Sequence, residues 1–365
     1  MVIVLGIEST AHTFGVGIVK NKKIIANKRK MYSTESGGII PTESAKHHCD
    51  CKHEIYFEAL DEAKIKEEEI DAIAFSQGPG LAPCLIEGMK FAKEISEKLK
   101  KPVVGVNHCV AHLEVGETTG AKDPVMLYVS GANTQVIAYE SGKYRIFGET
   151  LDLGVGNFID TIARFLGQGF PGGPKIQELA KSGKNYIELP YKVKGMDIAL
   201  AGIQTKIKQL IDDKKFSKED LAYSLQETVF TMLVEIAERA LAHTGKKELL
   251  LGGGVACNSR LQEMCKIMCD ERIEYGKQSP ISISPSMFSI PKKLSMNTKN
   301  KLKEFIGKTK LFVPERSLLV DNASMIAYLG EKMFEKKANV FSCNELEKID
   351  IHPRERTDDI EVNWR

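Results

Sequence analysis

The chain has 365 residues and a formal net charge of +2, from 51 Lys and Arg against 49 Asp and Glu. This length favours two domains over a single core. The near balance of charge argues against a strongly basic protein that coats nucleic acid, although it leaves room for a local basic face. The sequence has no apolar run near the roughly 18 residues of a membrane-spanning helix, so we expect no membrane association.

The eight cysteines indicate reduced thiols, because the chain can bury its own core and we expect no signal peptide. We therefore expect a cytoplasmic location, and a nuclear one in addition is compatible with the sequence. The pairs Cys49/Cys51 and Cys265/Cys269 could each bind metal, but neither has a second cysteine pair at zinc-site distance. Thiols in the core or at the surface are the simpler interpretation.

The chain begins with a strand, a polar turn and a second strand, at residues 2–5, 8–13 and 14–19. The same pattern returns at mid-chain, with apolar runs at residues 125–129 and 135–139 on either side of a turn. Two hairpins of one design suggest two copies of one α/β unit. The second turn, Ser-Gly-Ala-Asn-Thr, offers N–H groups and hydroxyls to a phosphate, but an ordinary turn is the commoner use of such residues.

Two histidines, His108 and His112, follow an apolar run at residues 102–106. Residues four apart share one face of a helix, and neutral imidazole is a ligand for zinc and iron. A metalloprotease of the His-Glu-x-x-His kind has the same spacing, but Cys109 stands where that motif has its general base. The pair indicates either a metal site or a structural pair in which His108 caps the helix and His112 packs against it.

Apolar residues at helical spacing predict three helices, at residues 54–64, 90–99 and 221–243. Gly245 is a fitting stop for the last of them. A buried strand at residues 248–251 then leads into three glycines and a helix from Ser259. The order strand, glycine-rich turn and helix N-terminus permits close approach of a nucleotide.

Residues 277–310 are rich in Ser, Pro, Ile and Lys and show little periodicity. We interpret them as a polar surface insertion, with a short amphipathic helix at residues 300–306 as the alternative. Order resumes at residues 311–314, and residues 321–324 open a helix that runs through Lys332. Taken alone, Asp321 is expected to be the N-cap of that helix.

Several short strings follow one another in an order that is typical of one known family. They are Gly-Pro-Gly-Leu at 78–81, Gly-Val-Asn-His at 105–108 with Ala-His at 111–112, Leu-Tyr-Val-Ser-Gly at 127–131, Phe-Gly-Glu-Thr-Leu-Asp at 147–152, Gly-Gly-Pro at 172–174, Val-Lys-Gly-Met-Asp at 193–197, Ser-Leu-Gln-Glu at 224–227, Gly-Gly-Val-Ala at 253–256, and the segment from 356 to 364. The chain resembles the universal tRNA threonylcarbamoyladenosine transferases, formerly described as glycoproteases. Within them it is similar to the archaeal–eukaryotic branch, the catalytic subunit of the KEOPS complex.

The resemblance implies an α/β fold with two related RNase H-like domains of the actin, sugar-kinase and heat-shock-ATPase superfamily, facing each other across a cleft. We expect residues 1–124 with 322–365 to form the N-terminal α/β domain, which includes a returning C-terminal helix. Residues 125–321 would form the second α/β domain and carry the polar insertion.

The resemblance also implies which residues form the site. One iron or zinc ion per chain would be held by His108, His112 and Asp321, with Tyr128 as a further candidate ligand. An adenine nucleotide, as part of the substrate, would be bound by Tyr128, Ser130, Gly131, Asn133, Asp160, Gly173, Gln177 and Asn258. No catalytic residue is implied beyond the metal and the cleft, although Glu8 lies on the first hairpin and would face the cleft.

Five positions depart from the family pattern. Ala132 replaces a usual Gly, which would cost about 1 kcal/mol or more if the position needs positive φ. Gln177 replaces a Glu expected near the ribose. In the same way, Thr42 replaces an Arg, Ala201 replaces a Ser, and Ser324 replaces a Gly. Together these departures leave open a less active or non-catalytic member.

The implied reaction moves the threonylcarbamoyl group from threonylcarbamoyl-AMP to the exocyclic amine of the adenosine 3′ of the anticodon, in tRNAs that read ANN codons. The implied partners are tRNA, a small atypical protein kinase docked on the domain with the C-terminal helix, and a small dimerising subunit near the helices at 54–64 and 90–99. An ATPase or sugar kinase of the same superfamily is the alternative, and a metalloprotease is disfavoured.

Overall fold

The computed structural model describes residues 2–34, 38–272 and 309–365. Its first sheet contains the strands β1 (Ile3–Glu8), β2 (Thr13–Lys20), β3 (Lys23–Met31), β4 (Ala72–Gly78), β5 (Val103–Asn107) and β13 (Val340–Phe341). They lie in the order β13–β5–β4–β1–β2–β3. The neighbours β1/β4 and β4/β5 are parallel, whereas the hairpin strands are antiparallel.

Helices cover both faces of the first sheet. They are α1 (Pro41–Ala63) and α2 (Ala82–Leu99) on one face and α10 (Ala323–Glu335) on the other. Ile3, Leu5 and Ile7 pack with the first pair of helices, since alternate residues of a strand point to opposite faces. Gly6 lies under α10, where an added Cβ would come within 2.4 Å of the Ala327 amide nitrogen, so the helix can approach this closely only because the position is glycine.

The second sheet repeats the hairpin design. Its strands are β6 (Val125–Val129), β7 (Thr134–Glu140), β8 (Lys143–Glu149), β11 (Glu248–Gly252) and β12 (Lys310–Phe312), in the order β12–β11–β6–β7–β8. The remaining elements are α3 (His108–Glu114), α4 (Val155–Phe165), α5 (Gly172–Ser182), a small β-ribbon of β9 (Val193–Lys194) and β10 (Asp197–Ile198), α6 (Ala201–Asp212), α7 (Lys218–Thr244), α8 (Ser259–Glu271) and α9 (Arg316–Leu319). Within the described residues, every helix is too short or too polar to cross a bilayer.

The structure confirms both hairpins and all three helices predicted from periodicity. The helices α1 and α2 begin earlier than predicted because their first turns are polar or contain proline and so lack the apolar periodicity. The helix α7 ends at Gly245, whose φ of 71° is a left-handed cap conformation. All eight cysteines are free thiols.

Three predictions at element ends need correction. Asp321 is not an N-cap, because the Asn322 side chain accepts the hydrogen bond from the Met325 amide and caps α10. His108 does not cap α3, because Asn107 does. Of the predicted insertion, residues 277–308 lie outside the described residues, and its last residue belongs to β12.

Residues 350–365, which we call the strap, run along both sheets. The His352 amide donates to the Gln77 carbonyl of the first sheet at 2.8 Å. Further along, Arg356 pairs with Glu149 of the second sheet, with 3.5 Å between nitrogen and oxygen. The strap therefore ties the two sheets together.

The strap ends on a buried carboxylate. Glu114, at the end of α3, has no exposed surface and accepts hydrogen bonds from the Trp364 indole at 3.1 Å and from Arg365 at 3.0 Å. Tyr144 and the Lys332 ammonium also donate to it. Burial alone would raise the pKa of Glu114, but Arg365 and Lys332 outweigh burial and lower that pKa from 4.5 to about 2.

We expect Glu114→Gln to lower the free energy of unfolding at pH 7 by roughly 3–5 kcal/mol, because it leaves buried cations without their anion. A carboxyl with a depressed folded pKa stabilises the fold above its unfolded pKa, and this contribution is lost as the pH falls towards the folded pKa. The difference between wild type and variant should therefore shrink as the pH falls from 4.5 towards 2. Denaturant unfolding at several pH values measures it.

The matched control is Glu345→Gln, which removes an exposed carboxylate from a surface pair with Lys348. This variant should change stability little, since exposed pairs contribute little. Equal losses in the two variants, or a Glu114 effect that is independent of pH, would contradict the prediction.

Candidate metal centre and active-site cleft

The helix α3 presents two imidazoles to one point between the sheets. Asn107 starts the helix, since its side-chain oxygen accepts from the Val110 amide at 3.0 Å. Its amide group donates to Glu355 of the strap at 2.9 Å. His108 and His112 lie one turn apart, with ring centroids 4.9 Å from each other and planes at 82°. Both rings are buried.

The third member is Asp321, which directly precedes the cap of α10. Its Oδ1 lies 3.4 Å from His108 Nε2 and 3.6 Å from His112 Nε2. Ligand atoms of the three residues all lie within 4.8 Å of one another. The capping Asn322 donates to the Val320 carbonyl at 2.8 Å, which fixes the turn that carries Asp321.

The donor set fits a metal ion. The buried Nε2 of His112 has no hydrogen-bond partner among the described residues, and 3.6 Å to Asp321 is too long for one. Leaving a buried polar atom without a partner costs free energy, and a bound ion at this point would remove that cost. Two imidazole nitrogens and one carboxylate match the two-His-one-carboxylate sites of iron, and they are also ligands that zinc accepts.

Glu8 supports this set from the first sheet. Its Oε2 lies 2.9 Å from His108 Nδ1, and its Oε1 accepts from the Thr10 amide at 2.8 Å. Since a carboxylate at Nδ1 favours a proton there, Nε2 is the nitrogen of His108 that would bind an ion in place of its own proton. Glu8 was expected to face the cleft, and the structure places it against a candidate ligand; Thr10 was missed because nothing in its local pattern marks it.

Charge balance holds the cluster together. Burial lowers the pKa of His108, but Glu8 and Asp321 outweigh burial and hold that pKa well above 6.5. Burial lowers the pKa of His112. Burial would raise the pKa of Asp321, but the two imidazoles outweigh it and hold that pKa well below 3.8. The site therefore keeps an ionised carboxylate in a buried position.

Tyr128 lies at the end of β6 with its ring centroid 5.1 Å from that of His112. The ring is buried, and burial raises the pKa of its hydroxyl well above 10. The structure therefore places Tyr128 beside the metal candidate His112, and its role as a ligand stays a prediction.

The turn after β6 faces the same helix. Ser130 N donates to the Asn133 carbonyl at 2.8 Å, which closes the turn, and Asn133 Nδ2 reaches the Cys109 thiol at 3.6 Å. Gly131 accepts from the Asn157 amide at 2.9 Å, so α4 begins against this turn. Ala132 does not adopt positive φ, so the strain considered for this replacement is absent.

The remaining nucleotide candidates lie on the second sheet's helices. Asp160 on α4 accepts from the Gly172 amide at 2.7 Å, and burial raises its pKa. An added Cβ at Gly173 would meet no atom within 4 Å, so open space lies before it. Asn258 Nδ2 donates to Gln226 at 2.9 Å. Gln177 donates to Ser259, the residue after Asn258, also at 2.9 Å.

The two sheets approach each other across this region. His12 of the first hairpin stacks edge-on against Phe170, which precedes α5, with centroids 5.6 Å apart. His12 is close enough to act electrostatically on both Asp160 and Asp321. The metal candidates and the nucleotide candidates thus share one cleft.

Comparison with known proteins identifies the family. The family model described as TsaD, tRNA N6-adenosine threonylcarbamoyltransferase, matches residues 22–277. A Thermococcus sibiricus protein named tRNA N6-adenosine threonylcarbamoyltransferase is 48% identical over 363 residues, covering 99% of this chain and 100% of the relative. A Xenopus laevis protein of the same name is 41% identical over 373 residues, with 100% of both chains covered.

The chain belongs to this tRNA N6-adenosine threonylcarbamoyltransferase family. It is a transferase that modifies tRNA. A longer Methanocaldococcus jannaschii relative, named a probable bifunctional tRNA threonylcarbamoyladenosine biosynthesis protein, is 46% identical, and the match covers 99% of this chain but 60% of that relative.

The expected α/β fold with two sheets of related design is confirmed, and a solved structure shares it. The crystal structure of HypF from T. kodakarensis has a TM-score of 0.57 at 16% identity and covers 91% of this chain and 48% of HypF. At this identity the likeness concerns the fold alone.

We expect the chain to bind one iron or zinc ion, and the His108→Ala/His112→Ala double variant to bind none, because it removes two of three ligands. Elemental mass spectrometry after metal loading and desalting measures the content. His53→Ala is the control, since it removes an exposed imidazole on α1, which carries none of the three metal candidates. Metal content that is unchanged in the double variant would exclude this site.

Proposed function

We propose that this transferase moves the threonylcarbamoyl group from threonylcarbamoyl-AMP to the exocyclic amine of the adenosine 3′ of the anticodon, in tRNAs that read ANN codons. One observation carries the proposal. His108, His112 and Asp321 converge beside the turn at residues 130–134. Asn133 of that turn contacts Cys109, which follows His108 on α3. A metal-ligand set and a candidate phosphate-binding turn therefore lie side by side.

The chemistry is acyl transfer. The adenosine amine attacks the carbamoyl carbon, a C–N bond forms, and the C–O bond to the phosphate breaks. AMP leaves with the electron pair, and the amine loses a proton to water. The amine is a poor nucleophile because its lone pair is delocalised into the ring. A bound ion would supply Lewis acidity that makes the carbonyl more electrophilic.

The chain's own residues bind and orient the substrates. The N–H groups of Gly131 and Ala132, at the tip of the turn at residues 130–134, can stabilise the phosphate as negative charge collects on AMP. Open space before Gly173 accommodates the nucleoside next to Asp160. Glu8 fixes the ring of His108 through the 2.9 Å contact with Nδ1, so the ligand set is preorganised.

The chain would act as the catalytic subunit of a KEOPS-type complex. Its net charge of +2 gives little long-range attraction for tRNA, whose binding depends largely on phosphate neutralisation. The bifunctional relative carries about two fifths of its length outside the match, so a chain like this one can function joined to a second unit. A small atypical kinase would dock on the domain with the C-terminal helix.

A small dimerising subunit would contact α1 and α2. Phe57 on α1 is 57% exposed, which offers an apolar contact on that surface. We place the boundary between the two domains at residues 124/125 and 321/322, so that α10 and the strap return to the first sheet.

We expect unmodified tRNA to gain threonylcarbamoyladenosine when incubated with threonine, bicarbonate, ATP, the enzyme that makes threonylcarbamoyl-AMP, this chain and its partners. Mass analysis of the nucleosides detects the product. The chain alone should give much less product, and Asp321→Asn in the full mixture should give essentially none.

Two outcomes would contradict the proposal. Full activity of the isolated chain would show that partners are not needed. ATP turnover that requires only a small-molecule acceptor, without modified tRNA, would favour the sugar-kinase alternative.

A further inference from the structure

The strand β3 carries an arginine on the same face as Glu8. Glu8 lies opposite Gly15 in the β1/β2 ladder, and Gly15 lies opposite Arg29 in the β2/β3 ladder. Residues directly opposite each other on neighbouring antiparallel strands project from the same face. Arg29 therefore points to the side on which Glu8 meets His108, two strands and roughly 10 Å of sheet away.

Contacts of Arg29 bring it to the segment that carries Asp321. Its Nη1 donates to the Ser317 carbonyl of α9 at 2.8 Å. Ser317 directly follows the exposed Arg316, and the two arginines are near enough to act electrostatically on each other. Burial lowers the pKa of Arg29, the Asp321 carboxylate raises it in part, and the positive charge of Arg316 lowers it.

The pair lies beside the glycine-rich turn after β11. An added Cβ at Gly254 would meet Val320, three residues beyond Ser317, at 3.9 Å. Both arginines also act electrostatically on Cys257, which directly precedes the nucleotide candidate Asn258. Arg29 and Arg316 thus lie at the edge of the cleft, between the metal candidates and the nucleotide candidates.

Among the residues that the structure describes, neither arginine has a carboxylate oxygen within ion-pair distance, 4.0 Å. The two lysines that flank Arg29 on the same strand do have carboxylate partners. Lys28 pairs with Glu62, and Lys30 pairs with Glu54 at 2.8 Å. Asp321 offsets part of the charge of Arg29 from beyond ion-pair distance, but no carboxylate of the described residues pairs with either arginine. An anion bound between the two arginines would relieve their repulsion. Guanidinium groups bind phosphate strongly through bidentate hydrogen bonds.

We propose that Arg29 and Arg316 form a phosphate clamp that holds the tRNA backbone at the entrance of the cleft. The proposal rests on the proposed function, which makes tRNA the acceptor. The exposed position of Arg316, next to the edge strand β3, suits a macromolecule better than the small nucleotide, whose phosphate has its own candidate turn at residues 130–134. The nucleotide phosphate is the other source of the same chemistry, and the experiment separates the two.

The test compares Arg29→Gln and Arg316→Gln with wild type in tRNA binding by fluorescence anisotropy over a salt series. Each variant should bind unmodified tRNA more weakly and reduce the slope of log affinity against log salt by about 1. The matched control is Lys30→Gln, which removes the same charge from the next position of β3. Lys30 projects from the opposite face and is neutralised by Glu54, so its slope should equal that of wild type.

Further measurements separate the alternatives. Arg316→Gln is the decisive variant, because this exposed side chain holds no described contact in place, whereas Arg29→Gln also removes the bond to Ser317. ADP affinity measured by calorimetry should not change in either variant. With wild-type activity established, saturating tRNA should restore turnover, so the variants raise KM for tRNA and leave kcat near wild type.

An unchanged salt slope in Arg316→Gln overturns the clamp. A loss of ADP affinity with an unchanged slope also overturns it and assigns the pair to the nucleotide phosphate. The wild-type chain could also bind tRNA with a steeper salt dependence than the arginine variants and yet never modify tRNA. That outcome would refute the proposed function but support the clamp.

Discussion

The short helix α3 is the constraint on which the rest of the site depends. All seven of its residues are buried, and its side chains are engaged from both sheets. His108 meets Glu8 of the first sheet, and Cys109 meets Asn133 of the second. Glu114 at its other end meets the strap. Because one helix makes all these contacts, the position of the metal candidates relative to the nucleotide candidates is fixed by how the two sheets pack.

This arrangement concentrates buried charge, which costs free energy unless each charge is paired. Asp321 remains ionised because two imidazoles face it, and Glu114 remains ionised because Lys332 and Arg365 do. The two clusters share α3, so the strap both closes the fold and holds the helix that carries the ligands. By contrast, neither arginine at the cleft edge has a carboxylate of the described residues within ion-pair distance, and this difference distinguishes a binding surface from a structural cluster.

Local pattern predicted much of the fold and part of the site. Alternating apolar residues gave both hairpins, and the four-residue spacing gave the histidine pair. Asp321 came only from the family resemblance, since a carboxylate before a helix is usually a cap and Asn322 takes that role here. The partners of Glu114 could not be predicted, because they come from three distant segments that meet only when both sheets have formed. Arg29 was missed for a similar reason, as its significance depends on strand register.

Anomalous diffraction at the iron and zinc edges, from crystals grown with the metal and an adenine nucleotide, tests the central claim most directly. We predict one anomalous peak, from a metal ion bound by His108 Nε2, His112 Nε2 and the Asp321 carboxylate. The nucleotide phosphate should lie at the turn of residues 130–134. A peak at other residues, or a nucleotide bound away from that turn while the histidine pair remains without metal, would contradict it.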